Sequence, residues 1–124
     1  YRAKPTMHNG VRYDSRAEAE RAAELDAMLK AGEIAWWLRQ VHIPLGAPGV
    51  KLKVDFLVAR KWYETETITF PPVVAVVAEE VKGKELDRFR VLKKLWPKFG
   101  PFPLYILKRS GNGWDREIVT GGGA

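Results

Sequence analysis

Apolar residues recur along the chain with two different periods, and the period indicates which segments form helices and which form strands. From Ser15 to Ala31 the apolar positions fall three or four residues apart, which predicts an amphipathic helix. Ser15 suits the N-cap of this helix, and Glu18 three residues later completes a capping box. Residues 84–96 show the same period and predict a second helix that ends at Pro97.

Strand-like segments surround these two helices. In the segment 50–60, polar and apolar positions alternate. One face of this strand is expected to carry Leu52, Val54, Phe56 and Val58. The other face is expected to carry Lys51, Lys53, Asp55 and Leu57. Residues 73–82 form a near-continuous apolar run, which is typical of a strand that is covered on both faces.

Shorter patterns complete the predicted order of elements. Asn9-Gly10 predicts a two-residue hairpin turn, and apolar segments at 34–45 and 103–109 predict two more strands. The resulting order is hairpin, helix, three strands, helix and strand, followed by a turn and a short final strand. This order predicts an α/β (α+β) fold in which a mixed central sheet is flanked by two helices. We expect one domain over residues 1–124, with flexible ends at 1–6 and 121–124.

Composition narrows the functional classes. The chain is 46% hydrophobic and 29% charged, contains no cysteine, and has no run of ~18 apolar residues that would span a membrane. We therefore expect no membrane partner, no thiolate metal site and a cytoplasmic location. The net charge of +6 favours a polyanionic partner such as nucleic acid, although many proteins are basic without such a partner. Asn, Gln and Met are scarce, which fits a heat-adapted source.

Two charged residues stand out at the end of the predicted strand 73–82. Glu80 and Lys82 are two positions apart, so in a strand they share a face and lie about 7 Å from each other, while Glu79 points to the other face. A carboxylate and an ammonium in this arrangement suit a catalytic site. The alternative is an ordinary ion pair on a solvated edge of the sheet.

Asp55 strengthens the catalytic interpretation. Aspartate is rare inside an apolar strand and costly there unless it is paired or bound to a cation. If its strand neighbours the strand of Glu80, both carboxylates can bind one hard cation, which prefers oxygen ligands. The alternative is a salt bridge from Asp55 to Lys53 or Lys82. For Glu18, capping is the simpler interpretation, and a role near the metal, direct or through water, is the second.

These residues in this order resemble the PD-(D/E)XK nuclease superfamily. The segments "DSRAEAER", "VDFLV" and "EEVKGK" look more narrowly like a phage-encoded endonuclease branch that is related to Holliday junction resolvases of the phage endonuclease I type. The resemblance covers about residues 9–107, and Val54 stands where the name-giving proline would be. It implies a restriction-endonuclease-like core and metal-dependent hydrolysis of DNA that leaves a 5′-phosphate and a 3′-hydroxyl.

The resemblance also implies roles for individual residues. Asp55 and Glu80 would bind Mg²⁺ or Mn²⁺ together with the Val81 carbonyl, Glu18 would hold water or a second ion, and Lys82 would position or help deprotonate the attacking water. Branched or junction DNA would be the substrate and a homodimer the active form, with Trp37 and residues 64–70 as candidate dimer contacts. The residues expected to contact DNA are Lys84, Arg88, Lys93, Lys94, Lys53 and Gln40. For any single lysine, the alternative is a solvated surface.

Two other functions fit the same residues. A DNA-binding module of the same fold without catalysis is one, and a general nicking or repair endonuclease is the other. A structural or adaptor domain, with the charges as ion pairs, is less compatible with Asp55 inside an apolar strand.

Overall fold

The computed structural model describes residues 6–46, 48–62, 73–83 and 86–122. Its elements, in chain order, are β1 (Thr6–His8), β2 (Val11–Tyr13), α1 (Arg16–Lys30), β3 (Ile34–Pro44), β4 (Lys51–Trp62), β5 (Val73–Val81), α2 (Leu86–Phe99), β6 (Leu104–Ser110) and β7 (Gly113–Val119). Of the ends predicted to be flexible, Thr6 belongs to β1, and residues 1–5, 123 and 124 lie outside the described residues. No helix in these ranges is both long and apolar enough to cross a bilayer.

Five strands form one mixed sheet in the order β3-β4-β5-β6-β7. Strands β3, β4 and β5 pair antiparallel, β5 and β6 pair parallel, and β6 and β7 pair antiparallel. The parallel pair is joined through α2, because a parallel connection must cross from one end of the sheet to the other. The fold is therefore α+β, with two helices on a mixed central sheet, as the sequence predicts.

The first helix and the hairpin before it follow the local sequence closely. Asn9 and Gly10 have φ values of 49° and 76°, which suit the two central residues of a type I′ turn. In α1, the Oγ of Ser15 accepts the Glu18 N–H at 3.1 Å, and Ala31 is the C-cap. Both the hairpin and the helix predicted from Ser15 to Ala31 are confirmed.

The predicted end of the second helix is wrong. Pro97 lies inside α2, which continues to Phe99, and the Gly100 N–H still donates to the Trp96 carbonyl at 2.8 Å. The Trp96 side chain is fully buried, and its Nε1 donates to the Phe102 carbonyl at 2.7 Å. This tertiary anchoring of the last turn outweighs the helix-breaking tendency of proline. Residues 84 and 85 of the predicted helix lie outside the described residues.

Each face of the sheet has its own hydrophobic core. The α1 side buries Tyr13, Ala19, Ala22, Leu25, Ile34, Phe56, Val58 and Val77. The α2 side buries Ile43, Val54, Leu57, Ala78, Phe89, Leu92, Trp96 and Leu104. The central strands are therefore covered on both faces, which explains the continuous apolar run in β5.

The predicted alternation in β4 fails at Asp55. Phe56 lies in the α1-side core as expected, but Val54 lies in the α2-side core together with Leu57. Opposite this position in the neighbouring strand, Gln40 has a φ of 51° between the pairs Arg39–Phe56 and Val41–Val54. A left-handed residue inside a strand bends the backbone and changes which face the next residues occupy.

The two adjacent tryptophans of β3 have opposite environments. Trp37 packs edge-to-face on Phe56 at 5.8 Å between ring centroids, and its Nε1 donates to Asp26 at 3.1 Å. Trp36 is 38% exposed. Trp37, the residue predicted as a dimer contact, is thus held by its own chain, and residues 64–70 lie outside the described residues.

Candidate functional site

Asp55 and Glu80 are brought together where the pairing of the neighbouring strands β4 and β5 ends. Phe56 and Glu79 are opposite each other in the β4–β5 register, and Asp55 and Glu80 are the next residues along. The backbone N–H of Asp55 donates to Glu80 Oε1 at 3.0 Å, and the N–H of Val81 donates to Asp55 Oδ2 at 2.8 Å. A backbone N–H of each strand therefore orients a carboxylate of the other strand. The sequence-based prediction of a shared site requires this proximity.

A guanidinium from α2 binds the same carboxylate. Arg88 donates from Nε to Glu80 Oε2 at 3.2 Å and from Nη2 to Glu80 Oε1 at 3.0 Å. The Nη2 of Arg88 also donates to the Lys53 carbonyl. Glu80 is only 2% exposed, so these charge-assisted hydrogen bonds offset much of the cost of burying it. Arg88, predicted to contact DNA, thus lies inside the site.

The three acidic residues influence one another electrostatically. Burial, followed by the charges of Glu80 and Glu18, raises the pKa of Asp55 from 3.8 to about 8, against smaller opposing effects of the Val81 N–H and Arg88. Burial also raises the pKa of Glu18, with further contributions from Asp14 and Glu80. Carboxylates close together in a poorly solvated site favour a bound proton or a bound cation.

Glu18 takes part in the helix cap, and its carboxyl lies near the two other acidic residues. Its backbone N–H forms the helix cap with Ser15, and a backbone hydrogen bond with Asp14 lowers the pKa of its carboxyl. The same carboxyl lies within electrostatic range of Asp55 and Glu80. The capping and site interpretations are therefore compatible, because the N-terminus of α1 points this residue toward the end of β4 and β5.

Lys82 follows β5 and lies on the α2 side of the sheet. Its N–H donates to the Leu107 carbonyl at 2.7 Å, and its Nζ is 5.8 Å from the centroid of the Phe89 ring. Phe89 belongs to α2, as does Arg88, which binds Glu80. Glu80 and Lys82 therefore lie on the same face of the sheet, as the strand spacing predicts. Within the described ranges, neither Lys53 nor Lys82 forms the alternative salt bridge with Asp55.

The donors suit a hard divalent cation in their chemistry. Carboxylate and carbonyl oxygens are the ligands that Mg²⁺ and Mn²⁺ prefer, and the strained charge balance around Asp55 favours a positive ion. Among the residues that the structure describes, however, no three His, Cys, Asp or Glu side chains already form an ion-binding cluster. Arg88 occupies Glu80 instead, so a cation that binds Glu80 has to displace it.

The other residues predicted to contact DNA are scattered around this face. Lys53 and Lys94 are exposed, and Lys93 forms an exposed ion pair with Glu117 at 3.0 Å. Gln40 is half-buried in β3, at its left-handed φ. Lys84 lies outside the described residues.

One buried charged pair was missed in the sequence. Glu79 is fully buried on the α1 side, where Arg21 holds it through Nε at 2.8 Å and Nη2 at 2.7 Å. The sequence could have predicted this pair. A carboxylate on the covered face of an apolar strand requires a positively charged partner, and Arg21 lies next to the apolar stripe of α1.

The sequence matches no protein-family model, and no curated protein or solved structure shows significant similarity to the chain. The function proposed below therefore depends on the contacts of Asp55, Glu80 and their neighbours.

Proposed function

We propose that the chain is a metal-dependent DNA endonuclease of the PD-(D/E)XK type, with Asp55 and Glu80 at its active site. The observation that carries this proposal is the direct contact of these two residues on adjacent strands, with Glu18 within electrostatic range. Carboxylates that repel one another in a poorly solvated site are a recurring feature of metal-assisted catalysis.

The order of elements supports the same proposal. Glu18 lies in α1, Asp55 in β4, and Glu80 in the adjacent β5, which is the arrangement on which the sequence resemblance rests. A basic chain with a net charge of +6 also suits a polyanionic substrate.

Mg²⁺ or Mn²⁺, held by Asp55, Glu80 and the Val81 carbonyl with Glu18 nearby, would supply Lewis-acid activation of the phosphate and of water. The chain itself fixes the carboxylates: the Val81 N–H occupies Asp55 Oδ2, which leaves Oδ1 to accept a further bond. Lys82 would move from the Phe89 ring to hold the attacking water and to offset negative charge on the phosphate. The water loses a proton as its oxygen bonds to phosphorus, the bond from phosphorus to the 3′ oxygen breaks, and that oxygen takes up a proton, so that one water is consumed for each bond cut.

Arg88 acquires two roles in this proposal. Without a divalent ion it balances the charge of Glu80, as the described hydrogen bonds show. A bound ion would take over this charge balance, and Arg88 would then be available to contact a DNA phosphate, the role predicted from its position in the sequence.

Cleavage assays with matched variants test the proposal. A labelled four-way junction and a linear duplex of the same sequence are incubated with the wild type in Mg²⁺ and in chelator. Glu80→Gln and Lys82→Met are expected to lose at least a hundredfold in cleavage rate while DNA binding changes little. Glu33→Gln, an exposed glutamate between α1 and β3, is the control and should cut like the wild type. Unchanged cleavage by Glu80→Gln would refute the assignment.

Selectivity for branched DNA and a homodimer belong to the same proposal, because symmetric cutting of a junction needs two active sites. Faster cutting of the junction than of the duplex supports resolvase activity, and equal cutting supports a general nicking or repair endonuclease. Light scattering of the protein in solution measures its mass and tests whether it is a dimer.

A non-catalytic DNA-binding module is the second candidate. The contact that favours it is Arg88 on Glu80, since a guanidinium that already neutralises the carboxylate leaves less need for a metal ion. Salt-sensitive binding of DNA without cleavage in Mg²⁺ or Mn²⁺ would support this candidate over the nuclease.

A further inference from the structure

A groove of about 450 Å³ lies on the α1 side of the sheet, on the face opposite to Arg88. Arg21 of α1 and Glu79 of β5 line it, together with Arg60 of β4 and the outer strands β6 and β7. Its volume falls in the range of sites that bind small ligands and is far too small for a duplex.

The groove carries an excess of positive charge. Arg21 is neutralised by Glu79 and by Glu24, whose Oε1 accepts from Nη1 at 3.2 Å. Arg60 and Arg116 also line the groove, and neither forms an ion pair with any residue in the described ranges. The polar groups left for a ligand are therefore guanidinium donors, which bind anions.

These two arginines lie at opposite ends of the groove. Both arginines can be placed relative to β5. Arg60 of β4 pairs with Ala75. Arg116 of β7 pairs with Leu107 of β6, and Leu107 pairs with Val81. Ala75 and Val81 are six residues apart on β5, so the backbones of the arginines are offset by roughly 20 Å along the strands. Because the arginines start this far apart, an extended ligand with repeated anionic groups fits the groove better than a single phosphate does.

Fixed aromatic rings line the same groove. The Arg116 guanidinium lies 4.8 Å from the centroid of the Tyr105 ring. Trp114 is held by its Nε1, which donates to Glu24 at 2.6 Å, and by Arg109, 4.5 Å from its ring centroid. Aromatic rings interleaved with arginines are the usual platform for unpaired bases and their phosphates.

We propose that this groove binds two or three nucleotides of an unpaired DNA strand. The proposal deepens the nuclease function and rests on it for its purpose: Glu79 lines the groove on the α1 side of β5, and the next residue, Glu80, faces the active site on the other side of the same strand. An unpaired arm of branched DNA bound in the groove would therefore be held across the sheet from the cleavage site. Binding itself needs no divalent ion and is measured separately from cleavage.

The test is a binding titration of fluorescent tetrathymidylate in chelator, by anisotropy. Arg60→Met and Arg116→Met are each expected to weaken binding about tenfold and to reduce its salt dependence. Arg90→Met, an exposed arginine on α2, is the control and should change affinity less than twofold. Thermal unfolding checks that the variants keep the fold.

Two further ligands define the occupant. A thymidine mononucleotide that binds as tightly as the tetranucleotide would overturn the extended site, and a tetraglutamate peptide that binds equally would overturn nucleic-acid recognition. The proposal would also be overturned if the wild type does not bind the tetranucleotide, or if Arg60→Met and Arg116→Met lose no more affinity than Arg90→Met. If binding follows the prediction but Mg²⁺ supports no cleavage, the groove stands and the nuclease proposal fails.

Discussion

Asp55 and Glu80 orient each other across the β4–β5 pair: the Asp55 N–H donates to Glu80 Oε1 at 3.0 Å, while the residue after Glu80 donates its own N–H to Asp55 at 2.8 Å. This reciprocity fixes both carboxylates on strands of the central sheet instead of on loops. Sites on such rigid elements hold their geometry better. As a result, two carboxylates with little access to water lie close together, which disfavours ionisation of Asp55.

Asp55→Asn should change how stability depends on pH in the absence of divalent ions. The pKa of Asp55 is about 8 in the folded chain and near 3.8 when unfolded. Between these values the folded state keeps a proton that the unfolded state releases, so the free energy of unfolding falls as pH rises from about 4 to about 8. Asn cannot ionise and still accepts the Val81 N–H. We expect the variant to be more stable than the wild type by about 2 kcal/mol at pH 9, and nearly equal to it at pH 4.

Urea unfolding at pH 4, 6 and 9 with chelator measures this difference. Glu18 titrates in both proteins, so the comparison isolates Asp55. Parallel stability curves for the two proteins would show that Asp55 ionises like a solvated carboxylate. Addition of Mn²⁺ at pH 9 should stabilise the wild type and leave Asp55→Asn almost unchanged.

Arg88→Met should separate stability from cation binding. The variant loses the guanidinium that holds Glu80, which is 2% exposed, and we expect a loss of about 2 kcal/mol without divalent ions. Its affinity for Mn²⁺ should increase several-fold, because the ion no longer has to displace Arg88. Electron paramagnetic resonance of free Mn²⁺ measures this affinity, with Arg90→Met as the control. A lower Mn²⁺ affinity in Arg88→Met would mean that Arg88 helps to form the ion site.

Much of the fold could be predicted from the sequence because its helices, strands and turns have strong local patterns. Ser15 and Glu18 begin α1, Asn9-Gly10 forms the hairpin turn, and strand spacing correctly separates Glu79 from Glu80. These features depend on neighbouring residues alone, so they are readable without tertiary structure.

The errors arise where tertiary contacts override the local pattern. Trp96 anchors the last turn of α2 and carries the helix past Pro97. The alternation of β4 breaks at Asp55, opposite the left-handed Gln40 of the neighbouring strand. The contact of Arg88 with Glu80 was not predicted, because it depends on how α2 docks against β5. No spacing rule within one element predicts that contact.

The left-handed conformation of Gln40 reverses the usual ranking of strand residues. In a regular strand, valine is favoured over glycine. With φ at 51°, a β-branched residue is strained, whereas glycine adopts the conformation freely. We expect Gln40→Gly to stay within about 0.5 kcal/mol of the wild type and Gln40→Val to lose about 2 kcal/mol, as measured by urea unfolding. If Val is tolerated better than Gly, the distortion opposite Asp55 is not maintained in solution.

The buried pair of Arg21 and Glu79 should matter for stability and not for the metal site. Arg21→Met leaves the fully buried Glu79 without its bidentate partner, so we expect a loss of about 3 kcal/mol in the free energy of unfolding. The double variant Arg21→Met with Glu79→Met replaces both charges by apolar groups and should recover most of that loss. Mn²⁺ affinity of the double variant should stay within twofold of the wild type, because this pair lies on the α1 side and Glu80 with Arg88 on the α2 side. A double variant as unstable as Arg21→Met would show that Glu79 needs its charge for another contact, and a large loss of Mn²⁺ affinity would mean that the two faces of β5 are coupled.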